Sequence, residues 1–152
     1  RRSSDLGRLT ATDITAAAQL YQTVFSQAPW FETHALPDVS QYISRLLAMN
    51  TNRCYAIWEA KQLIGVALGF SRPWHRGVEY QLLDLFVAAD QQKKGVGTLL
   101  LETIKADLSS VDIPHIILET DKGTPAEQFY YHNGFTVQPD QRALTLVSTT
   151  AR

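Results

Sequence analysis

The chain of 152 residues holds a single cysteine, one methionine and six prolines. Cys54 therefore has no partner for an internal disulfide, and with only four histidines the sequence contains no zinc-finger spacing. Neither sign of charge is in excess. Lys plus Arg number 14 and Asp plus Glu 15, a formal net charge of -1. That balance gives no reason to expect generic nucleic-acid or anionic-membrane binding, although it leaves room for a local basic patch. No apolar run approaches the roughly 18–20 residues of a membrane span. Low-complexity tracts, linkers and repeats are missing too. Arg1-Arg2-Ser3-Ser4 is not followed by an apolar stretch, so it reads as a scar or a truncation and not as a targeting signal. The lone cysteine is compatible with a cytoplasmic protein. What is present is ordinary globular material, 45% apolar and 19% charged, in one domain's length.

The hydrophobic periodicity switches several times. Leu6–Leu9 predicts a short strand. Thr12 or Asp13 can cap a helix to about Ser26, with Ile14, Ala17, Tyr21, Val24 and Phe25 on its apolar face. Ala28–Glu32 reads as a loop. A second helix starts at Asp38 or Ser40, buries Tyr42, Ile43, Leu46 and Leu47 and stops near Asn50. Arg53–Ala60 and Leu63–Phe70 form a hairpin around Lys61-Gln62. Ser71–Gly77 reads as a longer loop, and Val78–Ala88 as the next strand. Leu99, Leu100, Ile104 and Leu108 mark a helix from about Gly95 to Ser109, and Ile116–Leu118 a short buried strand. Thr124-Pro125-Ala126-Glu127 is a capping box with proline at the first helical position. Gly134 ends that helix. Phe135–Gln138 and Ala143–Val147 predict a closing hairpin around Pro139-Asp140. The order β α α β β β α β α β β gives a mixed sheet flanked by helices, with a βαβ unit from Leu82 to Leu118.

Gln92-Lys93-Lys94-Gly95-Val96-Gly97-Thr98 lies between a strand and a helix. The first N–H groups of a helix lack intrahelical partners and favour an anion, and glycines let a phosphate come close. Lys93 and Lys94 add positive charge. The loop lacks the Lys–Ser/Thr pair of a P-loop, and Leu100 stands where a dinucleotide fingerprint needs its third glycine. A pyrophosphate site and a plain flexible turn both fit the residues.

Gln92, Gly95 and Gly97 also match [QR]-x-x-G-x-[GA], the loop of the GNAT acyl-CoA-dependent N-acetyltransferases, which the chain resembles. The loop follows Leu83-Asp84-Leu85-Phe86-Val87, where that family has a strand. Ala126-Glu127-Gln128-Phe129-Tyr130-Tyr131-His132-Asn133-Gly134-Phe135 resembles the family's A-x-x-F-Y-x-x-x-G-F. The resemblance covers nearly the whole chain and implies one acetyltransferase domain over 1–152. The implied fold class is α/β (α+β), with a mixed, mostly antiparallel central sheet and helices on both faces. It implies that the N–H groups from Gln92 to Thr98 (Gln92, Lys93, Lys94, Gly95, Val96, Gly97 and Thr98) bind the CoA pyrophosphate. It further implies that the main chain of Leu85, Phe86 and Val87 pairs with the pantetheine arm, and that Tyr130 lies near the CoA sulfur.

Amine acetylation needs three things: a base for an ammonium of pKa about 10, a donor for the carbonyl oxyanion and a proton for the leaving thiolate. Tyr130 fits the last role by its motif position; as a bare residue it is a core aromatic. Tyr131 and His132 read as structural and surface residues. Asp84 sits in an apolar strand, where a carboxylate is costly unless paired or functional. It stands eight residues before Gln92, an offset at which some aminoglycoside 6'-N-acetyltransferases carry an acidic residue proposed to handle the amine. The alternative for Asp84 is a salt bridge to a nearby Arg or Lys. Other family members have a catalytic Glu where this chain has Gln81, which can only hydrogen-bond or orient a water. Glu79, at the start of the strand, is a second carboxylate candidate for the base and for binding the acceptor, a water chain being the other alternative, and Glu119 reads as a polar residue at a strand end. Trp30, Phe31 and Trp74 either cover sheet edges or wall an acceptor pocket. Arg72, His75 and Arg76 argue against a strongly polycationic acceptor unless they bind CoA or a carboxylate.

These readings predict an acetyl-CoA-dependent N-acetyltransferase acting on a primary amine of a small molecule, by direct transfer in a ternary complex. Acetyl-CoA is the co-substrate. No metal, nucleic acid or membrane partner is expected, and a homodimer is left open. Cys54 has no identified base beside it and is not read as a nucleophile. Two rivals are a non-catalytic acyl-CoA-binding module, which the Gln at position 81 favours, and a peptide or protein N-terminal acetyltransferase. Turnover of acetyl-CoA with an amine panel separates the first rival, and an open groove in place of a closed pocket the second.

Overall fold

The computed structural model describes residues 4–149; the first three residues of the Arg1–Ser4 segment lie outside them. Its elements run β1 (Ser4–Arg8), α1 (Ile14–Phe25), α2 (Leu36–Leu47), β2 (Tyr55–Glu59), β3 (Gln62–Trp74), β4 (Gly77–Val87), α3 (Val96–Ser110), β5 (His115–Ile117) and α4 (Pro125–His132). The chain divides into two units, one ending at Glu119 and the other beginning at Thr120.

The first unit holds a five-stranded sheet in the order β1-β2-β3-β4-β5. The first four strands pair antiparallel, and β5 pairs parallel with β4 across the α3 crossover. The mixed, mostly antiparallel sheet thus forms as expected. α1 and α2 cover one face, where Ala17, Ala18, Val24, Val39, Ile43 and Leu46 pack on Cys54, Ala56, Val66, Leu68 and Phe86. α3 covers the other, where Val96 and Leu100 lie over Gly65. Burying each such Leu, Ile or Val contributes about 1.5–3 kcal/mol.

Several boundaries differ from expectation. Ser71–Gly77 is not a long loop: β3 and β4 stay in register through Trp74↔Gly77, so the hairpin turn is only His75-Arg76. The β2–β3 turn is Ala60-Lys61, one residue earlier than expected, and both residues have positive φ (50° and 66°). α2 begins at Leu36, because Pro37 is accommodated in its first turn, and it ends at Leu47. At the start of α1, the Asp13 carboxylate accepts from the backbone N–H of Thr10 at 2.8 Å, so Asp13 closes the turn back onto Thr10. β5 ends at Ile117, leaving Glu119 exposed beyond it.

A register shift in β4 matters most for the site. Leu68 pairs with Asp84 but Gly69 with Leu82, so Leu83 is an extra residue. Such a bulge inverts the alternation of side chains beyond it. Glu79 and Gln81 before the bulge, and Asp84 and Phe86 after it, all face α1 and α2. Tyr80, Leu82, Leu85 and Val87 face α3. Strict alternation would have put Gln81 and Asp84 on opposite faces. Gly69 sits beside the shift. A Cβ there would collide with the Tyr80 phenol and the Gln81 carbonyl, and the Tyr80 hydroxyl donates to Arg53 O at 2.8 Å.

In the second unit α4 starts as expected. Thr124 Oγ1 accepts from the Glu127 N–H at 3.3 Å, while the Glu127 carboxylate accepts from Gly123 N–H at 2.8 Å. Gly134, at φ 92°, follows the helix end. The expected hairpin over Phe135–Gln138 and Ala143–Val147 is not formed. Those residues belong to no strand, and Val137, Leu144, Leu146 and Val147 are exposed. Two short strands are marginal without a further strand or helix to cover their apolar face.

Candidate active site

The loop after β4 is built from its backbone. A 3-10 turn over Ala89–Gln91 follows the strand, and the Gln92 side chain donates back to Val87 O at 2.9 Å, tying the loop to the strand it leaves. Lys93 and Gly95 then take positive φ, 63° and 84°. Gly95 precedes α3 with no side-chain cap, and Val96 is buried, which seats the first turn. By helix geometry the N–H groups of Val96, Gly97 and Thr98 have no intrahelical acceptor. A Cβ at Gly95 would meet nothing within 4 Å, so the glycine is required by its dihedral and not by space. Gln92, Lys93, Lys94 and Thr98 are exposed. Beside the loop, β5 pairs only with Glu79–Gln81 of β4, which leaves the β4 main chain through Leu85, Phe86 and Val87 without a strand on that edge. Unpaired helix N–H groups, two lysines and an unpaired strand edge fit a pyrophosphate with an amide-bearing tail, the parts of CoA.

On the α1/α2 face, Tyr42 donates from its hydroxyl to Asp84 Oδ2 at 2.5 Å. Tyr21 packs its ring edge-on against Tyr42, His34 and Phe86, with centroids 6.3, 5.2 and 5.3 Å apart. His34 Nε2 lies 2.7 Å from Glu32 Oε1, and the His34 carbonyl accepts from Gln22 Nε2 at 2.8 Å. No Arg or Lys among the described residues pairs with Asp84, so the salt-bridge alternative gives way to a phenol. Burial pushes the Asp84 carboxyl above its ordinary range, the Tyr42 hydrogen bond opposes that rise, and Glu32 adds to it. Burial first, then the Asp84 charge, pushes Tyr21 up to about 12 and Tyr42 higher still.

Gln81 is half-buried on the same face as Asp84. Glu79 is buried, and its carboxylate accepts from Arg72 Nε at 2.8 Å, so an internal cation already occupies it. Trp30 packs on Phe25, with centroids 5.0 Å apart, and Phe25 on Phe86. Phe31 beside it is 73% exposed. Trp74 sits at the β3–β4 turn, with His115 and His75 packed edge-on against it and Arg76 over its ring. Its partner Gly77 lies nine residues before Phe86, roughly 30 Å along an extended strand. Trp30 and Trp74 therefore do not share one pocket. Cys54 is fully buried, its S–H faces Gly69 O at 3.6 Å, and burial raises its pKa, all against a nucleophilic role.

In the second unit Tyr130 is buried between Phe129 and Phe135, each ring centroid 5.3 Å away. Tyr131 is exposed and its hydroxyl donates to Glu127 at 2.8 Å; His132 is exposed. Sequence reasoning missed Tyr21, Glu32, His34 and Tyr42 as site residues. The two tyrosines sit at core positions of helical stripes, and only the tertiary contact with Asp84 distinguishes them.

Residues 16–135 match the model of the acetyltransferase (GNAT) family. The chain belongs to that family and is a GNAT acetyltransferase. Among solved structures it is similar to the aminoglycoside N-acetyltransferase AAC(6')-Iy in complex with CoA, with TM-score 0.78, 13% identity, and 99% and 97% of the two chains covered. It is also similar to the ribosomal-protein-alanine N-acetyltransferase of Brucella melitensis, with TM-score 0.75, 16% identity, and 95% and 99% covered. A third is the aminoglycoside acetyltransferase meta-AAC0020 from an uncultured soil sample in complex with sisomicin, with TM-score 0.74, 16% identity, and 97% of each chain covered. No curated protein sequence matches significantly. The family uses acyl-CoA. No helix among the described residues is long and apolar enough to cross a membrane.

Proposed function

We propose that the protein transfers the acetyl group of acetyl-CoA directly to a primary amine of a small molecule. The observation that carries this reading is the Asp84 cluster. A half-buried carboxylate, held by one phenol and flanked by Glu32, lies on the strand that runs into the phosphate-binding loop. Acetyl-CoA supplies an activated acyl group when bound. The N–H groups of Val96, Gly97 and Thr98, with Lys93 and Lys94, hold its pyrophosphate, and the β4 main chain over Leu85–Val87 pairs with its amide arm. Asp84 removes a proton from the acceptor ammonium, either directly or through a water that Gln81 orients. A base whose pKa has been raised by burial is the better proton acceptor near neutral pH. Tyr130 gives its proton to the departing thiolate; phenol and thiol pKa values lie within about two units. Trp30 and Phe31, on the α1–α2 loop beside the cluster, are the aromatic contacts of the acceptor. Glu79, fixed by Arg72, and Trp74, at the far turn, contribute less. The chain acts as one domain in the cytoplasm, and a homodimer is compatible with this function.

The test is acetyl-CoA turnover against an amine panel containing aminoglycosides, simple diamines and a peptide with a free N-terminal alanine. Free thiol release with a small amine supports the reading. Activity confined to the peptide moves the assignment to N-terminal acetylation, and CoA binding without turnover of any amine favours the non-catalytic module.

A further inference from the structure

We propose that Tyr42 is a positioning residue for acetyl transfer: its phenol fixes one oxygen of Asp84 and thereby presents the other to the acceptor amine. This rests on Asp84 being the proton acceptor. The contact is tertiary, joining α2 to β4 across 42 residues. A carboxylate offers about four lone-pair sites, and Tyr42 takes one of them at Oδ2. Oδ1 accepts from no described residue. No buried side-chain oxygen among the described residues lacks a partner, so Oδ1 is not sealed inside the protein. One oxygen is anchored and the other open, which is the arrangement a proton acceptor needs.

The groups that face Asp84 come from every element around it: Tyr21 from α1, Glu32 and His34 from the loop after α1, Tyr42 from α2 and Cys54 from the segment before β2. Only Tyr42 touches it. The Tyr42 ring is itself held edge-on by Tyr21, so the donor has a fixed direction. A hydrogen bond to the charged form favours it. Tyr42 thus favours the charged form of Asp84, against the larger pull of burial that keeps it basic.

The test uses the full chain with CoA bound and follows the side-chain carboxyl carbon of Asp84 by NMR, identified by its loss in Asp84→Asn. Tyr42→Phe keeps the ring and removes the donor. The titration midpoint of Asp84 should move up by about one pH unit. Tyr55→Phe is the matched control. It loses a phenol–carboxylate bond of the same 2.5 Å length, to Asp107 on the α3 face, and should leave that midpoint in place. With the best amine of the panel, the acid limb of kcat/KM should move up together with the midpoint in Tyr42→Phe and stay in place in Tyr55→Phe.

An unmoved Asp84 midpoint in Tyr42→Phe overturns the proposal. Should that variant not fold, the unmodified protein decides: the Tyr42 ring carbon bearing the hydroxyl must report the Asp84 titration, and its indifference overturns the proposal equally. If Asp84→Asn keeps the full rate and acid limb, the base assignment itself fails. If Asp84→Asn loses rate while Tyr42→Phe leaves the midpoint unmoved, the base assignment stands and the role of Tyr42 falls.

Discussion

Asp84 is a residue whose folded environment works against its own charge. Burial raises its pKa above the ordinary aspartate value of 3.8, so the native state holds the proton at pH values where the unfolded chain has released it. Stability from this group therefore falls as pH rises through that window and stays at its lower level above it. Asp84→Asn keeps the shape and removes the charge. The variant should melt higher than the parent at pH 8, and the gain should fade toward pH 4, while acetylation drops most at low pH, where little free amine exists to bypass a base. Melting curves and rates over pH 4–9 check both parts. A variant that melts lower at pH 8 and stays fully active would point to a purely structural carboxylate. Tyr130 carries a different expectation. If it protonates the thiolate, Tyr130→Phe lowers turnover roughly 10²–10⁴-fold with CoA affinity little changed. Steady-state kinetics beside calorimetric CoA titration measures the two separately, and a fully active Phe variant returns Tyr130 to its packing between Phe129 and Phe135.

At the scale of elements, the start of α3 and the β2–β3 turn are the most exposed to test. Gly97→Glu places a side chain and a negative charge in the first turn, beside the N–H groups assigned to the pyrophosphate. CoA affinity should fall at least about tenfold, or about 1.4 kcal/mol, with the circular dichroism spectrum unchanged. Unaltered binding would remove the loop from the cofactor assignment. Ala60 and Lys61 both sit at positive φ, where L side chains are strained. Asn-Gly is the pair suited to such a two-residue turn. Ala60→Asn combined with Lys61→Gly should raise stability by about 0.5–1 kcal/mol, read in urea unfolding midpoints. The elements also show where sequence reading succeeds. The Thr124–Glu127 cap was legible because its partners lie within one helical turn. The Ser71–Gly77 stretch was not. Pro73 and Gly77 are ordinary loop punctuation, and only the pairing of β3 with β4 over ten residue pairs makes the stretch a hairpin. Phe135–Val147 carries strand-like alternation, but alternation does not supply a neighbouring strand. The turn before α3 was legible from its glycines, and Asp84 from its apolar setting; Tyr42, Tyr21 and His34 were not, since a tyrosine on an apolar helical stripe looks the same whether or not it meets a carboxylate.

For the molecule as a whole, ligand binding and folding share one equilibrium. CoA at about 100 times its Kd should stabilise the native state by about 2.7 kcal/mol. For a chain of this length that corresponds to a rise in Tm of roughly 5–10 °C. The same experiment on Gly97→Glu should show little rise, and an equal rise in both would disconnect the loop from the ligand. The bulge at Leu83 has a consequence of another kind, for the gene more than for the enzyme. Which face a strand residue occupies depends on how many residues precede it, and no amino-acid substitution changes that count. Losing one of the two adjacent leucine codons, Leu82 or Leu83, takes out the extra residue alone: the remaining leucine pairs with Gly69, Asp84 still pairs with Leu68, and every side chain keeps its face. Losing the codon for Leu85 or Phe86 instead draws Leu83 into the position of Asp84 and turns Asp84 toward α3. In a library of single-codon deletions, the leucine deletion should therefore fold and keep activity, whereas deletion of Leu85 or Phe86 should give an inactive protein; equal loss in both would show that the bulge itself is needed. The strand can shorten at one place only.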